Sequence, residues 1–593
     1  MKKNDISRRQ FLKGAAASMA GIATMNMLNF ETPAVAETGT TPSGAKYEVY
    51  HTELLVIGGG NNGVYAARQA LQQGKQVMIV DKAPFRHNGV SGMSWEALML
   101  WLTPVYPMLA EQTNMVIAKK AYEFLGGTEY NDLLDLVNGG QTIAHRGPDG
   151  NTYPYLYPGC ANSVFYRREM DDVMNNGVHV MDQVMITDLF ENNGRCLGAM
   201  GIHLPTGTFR VIRADATIMA ANAAMLFRGH HNIGYKGISS EDCTGDLDMA
   251  CFRHGMTIGE AEYAQYDINA IEPADLAHTM GAAIMADGGE LDCIYDVNHE
   301  RIFDRDQGKS GSDDGNLDMI KTIAKAVYEQ GRGSERGGIF IHYQEGHETR
   351  YNCTRNAELA KEYGLDPFTG YVEAMPEMFE HGGAPVIDEN MMTEWKGLFN
   401  ARGAGTGGCY GGIRTTHTKL FGAYTTHCAI NWLNENAPVN PAEIDWTPVE
   451  KEYERIHEIR TRKVEGGKRP HEIRLMIQEA GDRGFDVYRP TAWMEEAIAE
   501  LERIRREEMP KQVCADDSVN FNTDWKAAIE NINLLDSAEV SIKASLLREE
   551  TRGSYLRPEF PKRDDENWNC MLTCRLVDGE MVFEKRDIPT AEL

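Results

Sequence analysis

The stretch that most constrains this chain is His51 to Lys82, HTELLVIGGGNNGVYAARQALQQGKQVMIVDK. Leu54-Leu55-Val56-Ile57 is a short apolar run ending in glycine, the pattern of a parallel strand buried on both faces. Gly58, Gly60 and Gly63 follow as G-x-G-x-x-G. The first glycine permits a tight turn. The second lets backbone approach a pyrophosphate, and the third lets the next helix sit close to the strand. That helix, with Val64, Ala67, Ala70 and Leu71 as its apolar face, would aim its amide donors and positive dipole end at the pyrophosphate. Gln76 to Val80 reads as the second strand, and Asp81 stands at its end, where a carboxylate binds a ribose hydroxyl. A glycine-rich turn in another α/β protein does not need that acid. Strand, glycines, helix, strand and acid together point to dinucleotide binding and leave FAD and NAD open.

The rest of the chain narrows the class. Its 593 residues suffice for several domains, and a formal charge of -28 argues against nucleic acid or an anionic membrane as partner. Residues 1–36 read as a twin-arginine signal peptide. Ser7-Arg8-Arg9-Gln10-Phe11-Leu12-Lys13 precedes a mild apolar segment, and Ala34-Val35-Ala36 is a cleavage signal. The expected destination is periplasmic or otherwise extracytoplasmic. No later run approaches the roughly 18–20 apolar residues of a membrane span, so none is expected. The eleven cysteines are scattered, with no haem-attachment or iron–sulfur pattern. No metal site is expected, and electrons for any redox chemistry would have to come from a separate protein or a diffusible donor.

Residues 37–46 read as a linker, and the nucleotide domain starts near Tyr47. The loop after the second strand contains Asn88, Gly89 and Gly92 and would pass over the middle of a bound dinucleotide. Residues 96–138 look helical. Strands are expected at Val178–Val184, Met185–Phe190, Arg195–His203 and Ala216–Ala220, with Asn192-Asn193-Gly194 as a hairpin turn. Asp246 opens an amphipathic segment from Leu247 to His254. Residues 268–372 are polar, acidic and broken by glycine, as an inserted domain would be, and nucleotide-domain texture returns for 373–446. From Thr447 to Met509, charge alternates with apolar residues at helical spacing, and residues 527–551 read as a further helix.

Four blocks carry a resemblance to the flavoprotein subunits of the fumarate reductase/succinate dehydrogenase family. They are GGGNNG with Asp81-Lys82; Thr244-Gly245-Asp246 followed by GEAEYAQYD; GLFNARGAGTGGCYGGIRTTHTKLFGA; and LLREETRGSYLRPEFPKRDDENW, residues 546–568. The last is similar to the family's R-x-E-S-R-G-x-H-x-R run and is the most specific. The resemblance implies an α/β fold. A Rossmann-like FAD-binding domain (47–267 and 373–446) would be split by an inserted α+β capping domain (268–372) and followed by a C-terminal helical domain (447–593). It implies FAD rather than NAD, with Gly58, Gly60, Asn62, Gly63, Asp81, Lys82, Asn88, Gly89, Gly92, Asp246 and Gly403 as cofactor-binding positions. The chemistry it implies is hydride transfer from flavin to an electron-poor C=C bond, with a proton delivered to the neighbouring carbon. Arg336 (with Arg332 competing for the place) and Arg414 are the implied catalytic residues.

The departures from the family pattern are equally informative. Gln265-Tyr266 is followed by Asp267 where the family has histidine; Met378 and Tyr410 replace two further histidines, and His381 is out of register. The family's A-A-G-E reads Asn400-Ala401-Arg402-Gly403. His87 lies two residues early for covalent flavin attachment. His342, Tyr343, Tyr410 and His417 read as core or loop residues before catalytic ones. The expectation is an exported reductase of an unsaturated acid or enone other than fumarate, fed by a cytochrome- or quinol-linked donor protein. A dehydrogenase running the reverse reaction and a non-catalytic electron relay are the alternatives.

Overall fold

The computed structural model describes residues 37–40, 46–85, 117, 119–120, 142–146, 152–156, 170–171, 173–221, 242–271, 293–303, 315–345, 357–358, 360–402 and 415–588. Its largest sheet is built from β1 (Glu37–Thr40), β2 (Lys46–Ile57), β3 (Val77–Val80), β6 (His179–Met181), β7 (Val184–Asn192), β8 (Arg195–His203), β9 (Thr208–Met219) and β16 (Leu398–Asn400). The strand order is β6-β3-β2-β9-β8-β7, with β1 paired to β2 and β16 to β9. A separate hairpin joins β4 (Thr142–Arg146) and β5 (Thr152–Leu156).

The long strand β9 has two different neighbours on one side. Its first half pairs antiparallel with β8, and its last residues pair parallel with β16. The strands β3, β2, β9 and β16 therefore run parallel and end level. Ile57 lies opposite both Val80 and Met219, and Met219 lies opposite Asn400. Helix α1 (Asn61–Gln72) carries the chain from β2 to β3 on one side of β2, whereas β9 lies on the other. The strand order reverses between β2 and β9, and that crevice at the carboxyl ends is where an open parallel sheet binds ligands.

The apolar runs of the sequence explain the layering. Leu54 to Ile57 and Val77 to Val80 are buried or nearly so along their whole length, as strands covered on both faces must be. One face packs under α1 and a later helix, with Val64, Ala67, Ala70, Phe421 and Ala429 among the contacts. The other face receives Leu247, Ala250 and Cys251 from α2 (Asp246–Arg253). The expected strands between Val178 and Ala220 all form, but β9 begins at Thr208 rather than Ala216 and the first strand is shortened to His179–Met181. Asn193 and Gly194 both take positive φ at the hairpin turn.

Two smaller sheets complete the architecture. One contains β10 (Ile258–Gly259), β15 (Ala384–Pro385), β17 (Met571–Val577) and β18 (Glu580–Arg586) in the order β15-β10-β17-β18. The hairpin β17–β18 is an element that a purely helical C-terminal domain does not include. The other sheet contains β11 (Ala264–Ala270), β12 (Ile294–Tyr295), β13 (Ile339–Ile341) and β14 (Val372–His381), flanked by α3 (Gly315–Tyr328). It crosses both expected boundaries near residues 268 and 372.

Helix α4 (Thr415–Glu435) returns to the main sheet, and the 447–509 stretch divides into α5 (Thr447–Thr461), α6 (Pro470–Gly484) and α7 (Thr491–Arg503) before the long α8 (Thr523–Leu547). The sheet β11-β14-β13-β12 shares one apolar core with α6, α7 and α8, in which Ile268, Ile339 and Val372 meet Ile473, Leu501 and Ile542.

Candidate functional site

The crevice at the carboxyl ends collects most of the residues that the sequence singles out. Gly58 has φ of +109°, and a Cβ there would stand 2.8 Å from the backbone of Ala220 and Ala221. Both facts require glycine. A Cβ on Gly63 would stand 1.8 Å from the carbonyl oxygen of Gly58, so the helix approaches the turn as closely as the motif demands. Gly60 is the N-cap of α1. It offers no side-chain cap, and the first turn carries no acid, which leaves the N-terminal amides to an outside anion. Asp81 is buried at the end of β3. Its carboxylate accepts from the main-chain N–H of Gly59 and, at 2.9 Å, from that of Ala83.

Lys82 and Asp246 are brought together but are turned to each other. The Lys82 ammonium donates to Thr244 Oγ1 at 2.8 Å, Asp246 Oδ2 at 2.7 Å and Glu530 Oε1 at 2.9 Å. An ammonium has three N–H donors, and these oxygens take all of them. Burial alone would lower the lysine's pKa; Asp246 and Glu530 outweigh it and hold it above the ordinary value. Glu530 is correspondingly held below its ordinary range, burial being outweighed by Lys82, Lys526 and Arg474. This buried pair ties the second strand of the nucleotide fold to α8.

A second charged pair closes the crevice beyond β16. Arg402 donates through Nη1 to the carbonyl oxygen of His381 at 2.9 Å and through Nη2 to Asp248 Oδ2 at 3.3 Å. Its own main-chain N–H donates to Asn400 Oδ1 at 2.9 Å. Asp248 is pushed up to about 6 by burial, against the pull of Arg402. The sequence marks Arg402 only as a departure from the family pattern and does not single out Asp248. The doubled acid Asp246-Leu247-Asp248 at a helix start is the available signal.

Of the positions where the family pattern has histidine, Met378 has a described side chain, whereas Tyr410 and the side chain of Asp267 lie outside the described residues; Tyr266 and His381 stand beside these positions. The Tyr266 hydroxyl donates to Phe485 O and accepts from Arg489 Nη2 at 3.2 Å. Met378 lies opposite it in β14 and is buried. His381 is buried with Nε2 2.7 Å from Ser541 Oγ; burial, reinforced by Arg402 and Arg489, pushes its pKa down to about 3, so it is neutral. Arg336 is exposed in the turn before β13, its main-chain N–H on Ser334 Oγ at 3.2 Å. Arg332 is committed to Asp296 Oδ2 at 2.7 Å and Arg301 O at 2.8 Å. Tyr343 is core, packed on Phe368, and His342 holds Gly370 O at 2.8 Å. Asn88, Gly89, Gly92, Gly403, Tyr410 and Arg414 lie outside the described residues, as does the side chain of His417.

Known proteins share this fold. A family model described as fumarate reductase flavoprotein C-term matches residues 474–593, and one for the twin-arginine translocation pathway signal sequence matches residues 5–25. One component of the fumarate reductase (CoM/CoB) of Methanothermobacter marburgensis is 24% identical over 573 residues, covering 90% of this chain and 99% of its own. The fumarate reductase flavoprotein subunit of Mycobacterium tuberculosis is 25% identical over 576 residues, covering 89% and 95%. Among solved structures, E. coli quinol fumarate reductase superposes with a TM-score of 0.78 at 18% identity, covering 92% of this chain and 98% of its own. Adenylylsulfate reductase from Archaeoglobus fulgidus gives 0.71 at 19%, covering 92% and 97%. Over most of its length the chain is similar to fumarate reductase and succinate dehydrogenase flavoproteins, and its residues 474–593 match the C-terminal model of that family. It is an FAD-dependent oxidoreductase of CH–CH bonds and carries a twin-arginine export signal.

The residues present fit the FAD of this flavoprotein family. Besides the uncapped N-terminus of α1, two buried side-chain atoms have no hydrogen-bond partner among the described residues, Asn62 Oδ1 in the first turn of α1, beside Gly422 of the later helix, and Asn400 Nδ2 at the end of β16. One accepts and the other donates, as a polar cofactor threaded along the strand ends would require. The family's specific C-terminal block has a different task. Arg548 donates to Glu262 Oε1 at 2.8 Å, Glu550 Oε1 at 2.9 Å, Trp568 O at 2.8 Å and Cys570 O at 2.9 Å. Arg552 holds Glu550 at 2.6 Å and Asp565 at 2.7 Å, and Arg557 holds the carbonyl oxygens of Ser545 and Arg548 at 2.6 and 2.8 Å. These three arginines, Glu262 and Glu550 are all at most 1% exposed, so the block is an internal scaffold. It fixes the 260–263 segment, whose carbonyls lie against the Gly382 turn.

Proposed function

We propose that this flavoprotein is a periplasmic reductase of an activated C=C bond in an unsaturated acid or enone other than fumarate. FAD, when bound, supplies the hydride. The carrying observation is the set of residues at the places of the family's histidines, Asp267, Met378 and Tyr410, of which Met378 is buried and apolar. The nearby His381, out of register, is buried, neutral and set against Ser541. None offers an imidazolium for a second carboxylate, which fumarate would need.

The remaining roles fall to two arginines and a moving layer. Arg414 orients the substrate's carbonyl or carboxylate and stabilises the negative charge that develops there, a contribution typically worth about 10²–10³ in rate. The sheet β11-β14-β13-β12 with α3 is the cap. Its closure excludes water and brings Arg336 to the carbon that takes the proton. Arginine hardly deprotonates in water. The proton it passes on is replaced from solvent, to which Arg336 is exposed in this arrangement. Arg332, ion-paired with Asp296, is the next candidate. A separate cytochrome- or quinol-linked protein supplies the electrons.

The test uses the purified, anaerobically reduced holoenzyme. Reoxidation by members of a panel of enones and larger unsaturated acids, with fumarate slow, is expected. Rapid fumarate turnover would refute the substrate argument. Arg336→Ala is expected to keep binding but lower kcat severely, and near-normal reoxidation in that variant would remove it from the mechanism.

A further inference from the structure

The Asp248–Arg402 pair stands where the described fold gathers its parallel strand ends. Arg402 follows Asn400, the last residue of β16, which lies level with Met219, Ile57 and Val80. It also holds the His381 carbonyl, immediately before the Gly382-Gly383 turn. Asn400, which braces the Arg402 main chain through Oδ1, presents its unpartnered Nδ2 at the same place. The side chains of Arg402 and Asp248 are only 12% and 9% exposed. Charges this shielded from water act on neighbouring charges far more strongly than a surface pair does.

Among the described residues, the groups around the pair leave Asp248 as its variable member. On its own helix, Asp246 is occupied by Lys82, which Glu530 also engages, and the Cys251 thiol is pushed far up by burial, so it stays uncharged. From β14, His381 is neutral. Arg402 is permanently charged. With Asp248 ionised the pair is neutral; with Asp248 protonated it carries one positive charge. Burial places that change at about 6.

We propose that Asp248 and Arg402 are positioning residues for the negative charge that reduction places on the bound flavin. Arg402 stabilises that charge, and Asp248 takes up a proton from solvent as the two electrons arrive. The two electrons and one proton that leave the ring anionic are then accompanied by a second proton on Asp248, so charge near the crevice is conserved. This rests on FAD binding at the crevice and not on the identity of the substrate.

The experiment is an anaerobic redox titration of the holoenzyme with a low-potential chemical reductant and indicator dyes, without substrate, from pH 5 to 8. Near pH 6 the unmodified protein is expected to take up more protons per two electrons than Asp248→Asn does. At pH 8, Asp248→Asn removes the negative member of the pair and is expected to favour the reduced flavin by at least tenfold, about 30 mV for a two-electron couple. Arg402→Gln should shift it the other way. Asp248→Glu should restore the pH dependence. Equal proton uptake in the unmodified protein and Asp248→Asn, with equal potentials at pH 8, would overturn the proposal. If Asp248→Asn loses FAD, proton release and uptake measured on the unmodified protein in weakly buffered solution decides the matter: uptake that does not change through pH 6 also overturns it. FAD dissociation constants measured alongside separate a charge effect from a loss of binding.

Discussion

The interior around β2 and the interior around Arg548 are equally dry and are built on opposite principles. Under the main sheet, Leu54, Val56, Ala67 and Ile79 are fully buried among other apolar side chains. Around Arg548, four charged side chains, Glu262, Arg548, Glu550 and Arg552, are buried to the same degree. The first region is held by non-directional burial, at about 1.5–3 kcal/mol for each large side chain, and its members are near one another in sequence or in matching strands. The second is held by directional pairs whose desolvation is repaid only if every partner is in place. It joins Glu262 to a block nearly three hundred residues later, |i−j| of 286 for the Arg548 contact. An apolar core tolerates small errors. A charged one specifies a single arrangement.

The largest effect should therefore come from breaking the charged interior. Arg548→Ala strands Glu262 in the core, takes one of Glu550's partners away and is expected to cost about 3–5 kcal/mol in urea or thermal unfolding; a loss below about 1 kcal/mol would mean that water enters and the region is not dry. Leu54→Ala in the apolar interior should follow, at about 2–5 kcal/mol depending on how far the site collapses. Combining the two should give nearly additive losses, since they share no partner, and strong coupling would show that the two interiors are one.

The pH dependence sharpens the comparison at His381. Its folded pKa of about 3 lies below the roughly 6.5 of an unfolded chain. Between these values the unfolded state binds the extra proton, so stability falls as pH drops from about 6.5 towards 3. His381→Gln should flatten that acid limb, as read from unfolding midpoints across the window; an unchanged limb would assign it to carboxylates instead. The smallest effect belongs to the surface. Removing Arg462 from its i,i+4 pair with Glu458 should cost about 0.3–0.5 kcal/mol and vanish in high salt.

Legibility in the sequence follows the same division. The β2–α1–β3 unit, the turn at Asn193-Gly194 and the helix beginning at Asp246 can be read because their causes are local: apolar runs, glycines and a first-turn acid. Lys82 reads as a cofactor position because of its place beside Asp81, and its three acceptors cannot be foreseen when one of them is 448 residues away. The Arg548 block can be recognised by its identity but not by its role. The β17–β18 hairpin escapes a helical reading although Asp578-Gly579 is a strong turn signal, and both residues take positive φ. The helical texture before it hides the change of period. At the candidate site, Asp81 and the glycines are legible, whereas Asp248 gains its meaning only from Arg402 across the fold.

Helix α8 belongs to three separate apolar cores. Trp525 and Ile529 join the cluster beneath Tyr47 and Phe209, Leu535 and Ile542 the one shared with β11–β14, and Val540 and Ala544 the one beside β17. Glu530 from the same helix reaches Lys82, next to Asp81 at the end of β3. A nascent chain emerging from the ribosome thus lacks a keystone until nearly all of it has been made. The nucleotide site near its beginning waits, incompletely braced, for residues near its end. Cofactor loading becomes a late, all-or-nothing event, and a leader recognised by machinery that moves folded cargo is the kind of address such an assembly order requires.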